Sequence, residues 1–169
     1  YMRGAKEAGQ TRFFCFFAIS LSATLGVAFA ANLFTLYVFY EMLSLATYPL
    51  VTHHQDKEAR SGGRTYLTYL LSTSIGFALP AMLSCYFKSG ESLTFTGTSN
   101  WAAALSGPTV LVLLLLFVFG FAKAGVMPFH SWLPNAMVAP SPVSALIKAV
   151  AVVKVSVFSI IRVFTGVFR

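Results

Sequence analysis

Four charged side chains stand inside long apolar runs. Glu41 lies in LYVFYEMLSLATYPL, Lys123 in FVFGFAKAGVMPF, and Lys148 and Lys154 in SALIKAVAVVKVSVF. A charge at the centre of a bilayer costs about 2.5–3.5 kcal/mol on insertion scales, so such residues face a protein interior or a wet cavity and mark paths for ions. A dry site disfavours the charged form of a carboxylate or an amine, while each stabilises the charged form of the other. A Glu–Lys pair whose separation changes can therefore load and release a proton.

The same charges could do nothing more than pair and hold helices together, and a lysine near a helix end can snorkel to the interface. Lys148 follows Pro142 closely enough for that. Lys154 lies about 18 Å from Pro142 at 1.5 Å per residue, near the midplane, where snorkelling is hard. At 100° per residue the two lysines point about 120° apart, so they read as successive stations rather than one ligand pair. His130, just past an interruption marked by Gly125 and Pro128, is a candidate relay between the link beyond it and Lys123.

These residues need helices long enough to carry them across a membrane. Of 169 residues, 57% are apolar and 10% charged, against about 25% charged in a soluble domain. Spans of about 20 apolar residues fall at about 13–31, 33–51, 65–87, 109–129 and 143–164. The fold class is an all-α membrane protein of about five transmembrane helices. Asn32 marks a tight turn, and THHQDKEARSGGR (52–64) reads as a polar loop. KSGESLTFTGTSNWAAALSGP (88–108) reads as a longer surface connection. Gly76 and Pro80 lie inside the third span. Pro128 removes a backbone bond inside the fourth, so that span is broken near Lys123–Pro128, an arrangement tolerated only within protein or beside a wet cavity. Pro142 suits the start of the fifth helix, with Ser141 as its cap.

The same composition excludes other classes. The net charge of +7 is absorbed by loops and buried lysines, so nucleic acid is not an expected partner. The first apolar run has no small-residue cleavage site and further spans come after it, against a signal peptide. Arg3, Lys6, Arg12, Lys57, Arg60 and Arg64 collect on one side of the membrane, which places the N-terminal end in the cytoplasm or its organellar equivalent. His53 and His54, with Asp56 and Glu58, read as solvated loop residues rather than a metal site. Cys15 and Cys85 read as small buried hydrophobes. No P-loop, GxGxxG, CxxC cluster or nucleophile–base arrangement is present, so no metal, cofactor or catalytic residue is expected in this chain.

The segment KAGVMPFHSWLPNAMVAPSPVSALIKA resembles the signature of the antiporter-like membrane subunits of respiratory complex I, of Mrp-type cation/proton antiporters and of membrane-bound hydrogenases. NLFTLYVFYEMLSLATYPLV is similar to an earlier helix of the same family, and the two stretches keep its order and spacing. The resemblance implies a subunit of about fourteen helices built on two inverted five-helix repeats. The present chain would be the first repeat, helices four to eight of a longer protein. It puts Glu41 on the family's fifth-helix glutamate and Lys123 on the seventh-helix lysine. Lys148 and Lys154 fall on eighth-helix stations used by different paralogues. Asn135 stands where the family's WLPDAM motif has Asp, and Ser141 where Thr is usual.

The resemblance further implies a proton-translocating, itself non-redox subunit of an NADH:quinone oxidoreductase-like or hydrogenase-linked complex. The alternative is an Mrp-type Na+/H+ antiporter subunit, and a third reading is a purely structural bundle. Expected partners are other membrane subunits, the lipid bilayer, protons and, in the antiporter reading, Na+. The expected place is a bacterial or archaeal plasma membrane or an organelle inner membrane.

Overall fold

The computed structural model describes residues 2, 4, 9–89, 93–95 and 107–167. Arg3, Lys6 and most of the 88–108 connection lie outside the described residues. Helix α1 (Gln10–Ala28) buries Phe13, Ser20, Ala23 and Val27, a single stripe at helical spacing, and packs that stripe along α2 (Leu33–Val51). Phe14, Leu21 and Leu25 of α1 face outward, as they would toward lipid, while Phe16 and Phe17 are partly buried against the core. Its hydroxyls are satisfied locally: Ser20 and Thr24 donate to the Phe16 and Ser20 carbonyls, the usual way a polar residue stays in an apolar helix. Asn32 makes the turn between the two helices, its side chain accepting the Thr35 N–H at 2.7 Å, as an N-cap asparagine does. Residues 93–95 cross this turn, pairing Leu33 N–H with the Leu93 carbonyl and Phe95 N–H with that of Ala31.

The loop expected over 52–64 is much shorter. Helix α3 starts at Lys57 and runs to Thr73, with Asp56 before it and Glu58 in its first turn, where negative charge suits the helix dipole. Gly62 and Gly63 read as loop residues in sequence, yet both are buried within α3. A Cβ on Gly63 would collide with the Thr52 methyl and crowd the Tyr48 ring. The glycine lets α3 close onto α2; it does not break the helix. The third span is then a long one, Lys57–Lys88, in which α3 passes through a π turn (Ser74–Ala78) into α4 (Leu79–Ser89). Within the turn, Leu79 N–H reaches back to the Ser74 carbonyl. Pro80 would clash with the carbonyl four residues before it, and the widened turn absorbs that clash.

The fourth span also differs from its expected extent. Helix α5 (Gly107–Gly120) has 14 residues, about 21 Å at 1.5 Å per residue, short of the ~30 Å hydrocarbon layer. It ends at Gly120, ahead of Lys123, Gly125 and Pro128. A 3-10 turn covers Ala122–Ala124, capped by Gly125 in the left-handed region (φ 79°). Irregular turns then lead to a short helix α6 (Trp132–Asn135). The break falls in the expected region, and the helix stops sooner than a proline at 128 alone would require.

The fifth span, Ser141–Gly166, begins as α7 (Ser141–Ala145) with Pro142 in its first turn. Ser141 is already helical and makes no side-chain cap bond, so it is not the cap the sequence suggested; the residue in that place is Pro140. A second π turn covers Leu146–Val150, closed by Ala151 N–H on the Leu146 carbonyl at 2.8 Å, and α8 (Val152–Val167) completes the span. Among the described residues, four helices are long and apolar enough to cross a membrane, with α5 as a shorter apolar helix. The described residues are helices and turns, apart from one isolated bridge between Asn32 and Thr94.

Gly120 is where α5 meets the first π turn. A Cβ there would run into the backbone nitrogen, Cα and Cβ of Ala78, whereas one on Gly76 meets nothing within 4 Å. Backbone cannot move aside as a side chain does, and overpacking of this kind costs about 1–3 kcal/mol. Gly120→Ala should therefore lower the thermal midpoint of the detergent-purified protein by several degrees while Gly76→Ala leaves it unchanged. Equal midpoints for the two variants would remove this contact from the account.

A buried lysine at the break in the fourth span

Lys123 sits in the 3-10 turn that replaces the end of α5, and it is 1% exposed. Its Nζ donates a hydrogen bond to the backbone carbonyl of Tyr40 and lies 3.3 Å from the centroid of the Tyr40 ring. The face of an aromatic ring attracts a cation, more strongly when water is excluded. Tyr40 is wholly buried, and its hydroxyl meets the Ser156 hydroxyl of α8 at 2.9 Å. Phe121 packs its ring against Tyr40 at 5.0 Å, nearly perpendicular, and Phe117 stacks on Phe121 at 6.1 Å.

The other side of the turn is held by Trp132, also buried, whose indole N–H donates to the Ala122 carbonyl at 3.3 Å. That carbonyl belongs to the broken stretch and also accepts the Gly125 N–H at 2.9 Å. The Trp132 ring meets Tyr66 of α3 at 5.5 Å, and the Tyr66 hydroxyl meets Thr47 of α2 at 2.6 Å. Interruption of the helix thus leaves polar backbone at depth, and side chains from α2, α3, α6 and α8 gather around it.

Glu41 adjoins Tyr40 on α2. Ser74 of the first π turn lies beside its carboxylate, but the Ser74 hydroxyl donates to the Leu71 carbonyl at 3.1 Å. Both Glu41 oxygens are buried without a hydrogen-bond partner among the described residues. Lys123 Nζ is held by the carbonyl and ring of Tyr40, the residue before Glu41, so the fold brings these two sequence candidates together. It does not join them directly, because the ammonium turns to the Tyr40 carbonyl instead.

The remaining candidates stand apart from this interior. Lys148, within the second π turn, and Lys154, on α8, are both exposed on the surface of the described chain. Lys154 lines a cleft of about 160 Å³ with Thr24, Val27, Ala28, Val155 and Phe158. His130 is exposed in the turns after the break. Gly125 and Pro128 lie within the break as expected. Sequence reasoning does not single out Tyr40, Ser156, Tyr66, Thr47 or Trp132 as site residues. Tyr40 adjoins Glu41, which is a signal of sorts; the others carry none beyond being polar groups in apolar runs.

Two smaller expectations change. His53 is not a solvated loop residue: it is buried, with its ring against Phe13 at 5.5 Å and its carbonyl accepting from Arg12 at 2.8 Å. Cys85 is buried, but Cys15 is exposed on the outer face of α1. Among the described residues no group of three or more His, Cys, Asp or Glu could hold a metal ion.

Residues 30–168 match the family model described as NADH:quinone oxidoreductase/Mrp antiporter, transmembrane. The chain belongs to that family. It is 34% identical over 163 residues to a chain of a probable K(+)/H(+) antiporter of Rhizobium meliloti, an alignment covering 94% of this chain and 16% of the relative. It is 29% identical over 171 residues to the NAD(P)H-quinone oxidoreductase chain 5 of a Picosynechococcus species, covering 95% of this chain and 25% of that one. The fold matches a chain of the membrane-bound sulfane sulfur reductase, an archaeal respiratory membrane complex. That match has a TM-score of 0.75 and 25% identity, over 90% of this chain and 32% of the other. The chain thus spans a third or less of each of these relatives. Family membership and the apolar helices make it a multi-pass membrane protein.

The Thr47–Tyr66 bond is a test of how the break is supported. Both hydroxyls are buried, and stranding one costs about 1–3 kcal/mol. Thr47→Val should lower the thermal midpoint, and adding Tyr66→Phe should restore part of the loss because no orphan hydroxyl remains. Additive losses in the double variant would contradict the pairing.

Proposed function

We propose that this chain is the Lys123-centred part of a proton-translocating membrane subunit in a multisubunit complex of the NADH:quinone oxidoreductase or hydrogenase-linked type. The observation that carries the reading is a fully buried lysine at a break in a membrane span, held by a backbone carbonyl rather than by a carboxylate. A lysine serving only as a structural counter-ion would be bonded to its acid. Here the ammonium can give up its proton and leave no carboxylate partner stranded, while Glu41, itself without a hydrogen bond, biases the site through space. Relatives that include a quinone oxidoreductase chain support the complex. Lys148 and Lys154, exposed on this chain, would pass the proton onward to parts of the protein that lie against them. The subunit would do no redox chemistry and hold no cofactor here, and it would reside in a bacterial or archaeal plasma membrane.

A second reading, membership of an Mrp-type monovalent cation/proton antiporter, is favoured by the Rhizobium relative, whose name is that of a K(+)/H(+) antiporter component. Lys123 and Glu41 would serve the proton limb of either machine. The coupling differs: electron transfer drives one, a Na+ or K+ gradient the other.

The test uses the full-length subunit in its native complex, reconstituted in vesicles, with assembly measured on the same membranes. Lys123→Met should abolish proton uptake and Glu41→Gln should lower it strongly, with the complex still assembled. The double variant should assemble and still fail to move protons, because no titratable group is left at the crossing. Recovered transport in the double variant would mean that the two charges only balance each other in a structural bundle. Uptake driven by an imposed Na+ or K+ gradient, with no electron donor, would select the antiporter reading.

A further inference from the structure

Glu41 does not bond to Lys123, so something else must fix the ammonium. We propose that Tyr40 is the residue that positions Lys123, and that Ser156 fixes Tyr40; the inference rests on the reading of Lys123 as a proton carrier. Three contacts of Tyr40 bear on it. The backbone carbonyl accepts from Nζ, the ring face lies 3.3 Å below it, and the hydroxyl is tied to Ser156 at 2.9 Å. They divide the work. A carbonyl accepts from an amine or an ammonium alike, but a ring face attracts the charged form specifically.

The ring can do this only if it stays in place. A buried tyrosine hydroxyl needs a partner, and Ser156 on α8 supplies one. Phe121, leading into the broken turn, packs against the ring at 5.0 Å in an edge-type contact. Tyr40 therefore joins α2, the break and α8 at one point. It also neighbours Glu41 in sequence, so a displacement of α2 that alters the surroundings of Glu41 moves the carbonyl and the ring at Lys123 with it. That is a mechanical route by which an unbonded carboxylate and a lysine can be coupled.

The test is the pH profile of proton uptake by the full-length subunit in its native complex, in vesicles, with Lys123→Met as reference. Tyr40→Phe and Ser156→Ala each delete the hydroxyl link and leave ring and carbonyl. Each should slow uptake about threefold to tenfold, and the double should be no slower than either single. Tyr40→Leu removes the ring; it should move the alkaline limb of the profile to lower pH by roughly one unit, since the charged form of Lys123 loses its cover. If that variant does not assemble, Tyr40→Met, a flexible ring-free replacement, should show the same displacement. A merely structural role for Tyr40 would change the amount of complex or the rate and leave the profile in place.

The positioning role is overturned if a ring-free variant keeps the wild-type profile while Lys123→Met abolishes uptake; the proton reading of Lys123 then stands by itself. Multiplying losses in Tyr40→Phe with Ser156→Ala would overturn the link to α8. Normal uptake by Lys123→Met would instead remove the reading on which the inference rests.

Discussion

The architecture around the fourth span answers to one constraint: a lysine ammonium is placed where water is scarce. The acceptor for Nζ is the Tyr40 carbonyl, inside the unbroken helix α2, and that oxygen also accepts from the Ser44 hydroxyl at 3.4 Å. A helical carbonyl keeps a second lone pair beyond the one its helical N–H takes. What the break supplies is aim: α5 stops at Gly120, and the turn after it carries Lys123 into the bundle. Broken backbone survives at membrane depth only when protein surrounds it. Trp132 on the Ala122 carbonyl and the Phe117–Phe121–Tyr40 ring cluster are that surrounding protein.

The second consequence concerns Glu41. Two opposite charges buried near each other would gain most from direct contact, yet the fold keeps the ammonium on a neutral acceptor and the carboxylate unbonded. A direct pair would be hard to separate in a low dielectric. Interaction through space, without shared hydrogen bonds, lets each group change charge at smaller cost. For a structural bundle this is a poor arrangement; for a site that must load and unload a proton it is a useful one.

Depth is the part of the site that can be read from sequence. Glu41 and Lys123 stand out because a charge in an apolar run is costly whatever the tertiary structure, and Gly125 and Pro128 announce irregular backbone beside Lys123. Contact is what the pattern cannot carry. Tyr40 looks like any aromatic of α2 until its ring is seen under Nζ, and Ser156 is one of several serines in an apolar helix. Glycine misleads in the 52–64 stretch, since Gly62 and Gly63 are there for close helix packing and the local signal for that is the same as for a loop. The π turns at Ser74–Ala78 and Leu146–Val150 also escape a reading at 100° per residue. The angle between Lys148 and Lys154 taken from a straight wheel therefore describes a helix this span does not form.

The central claim is that Lys123 changes its charge as the protein works. Lys123 can be observed directly by nitrogen NMR of its side chain, in isotopically labelled full-length protein in lipid bilayers, assigned by its loss in Lys123→Met. Ammonium and amine nitrogens resonate apart, so a pH series separates the two forms. The account predicts a reversible passage between them within the pH range over which the complex transports protons. A Lys123 signal that stays in one form across that whole range would contradict it.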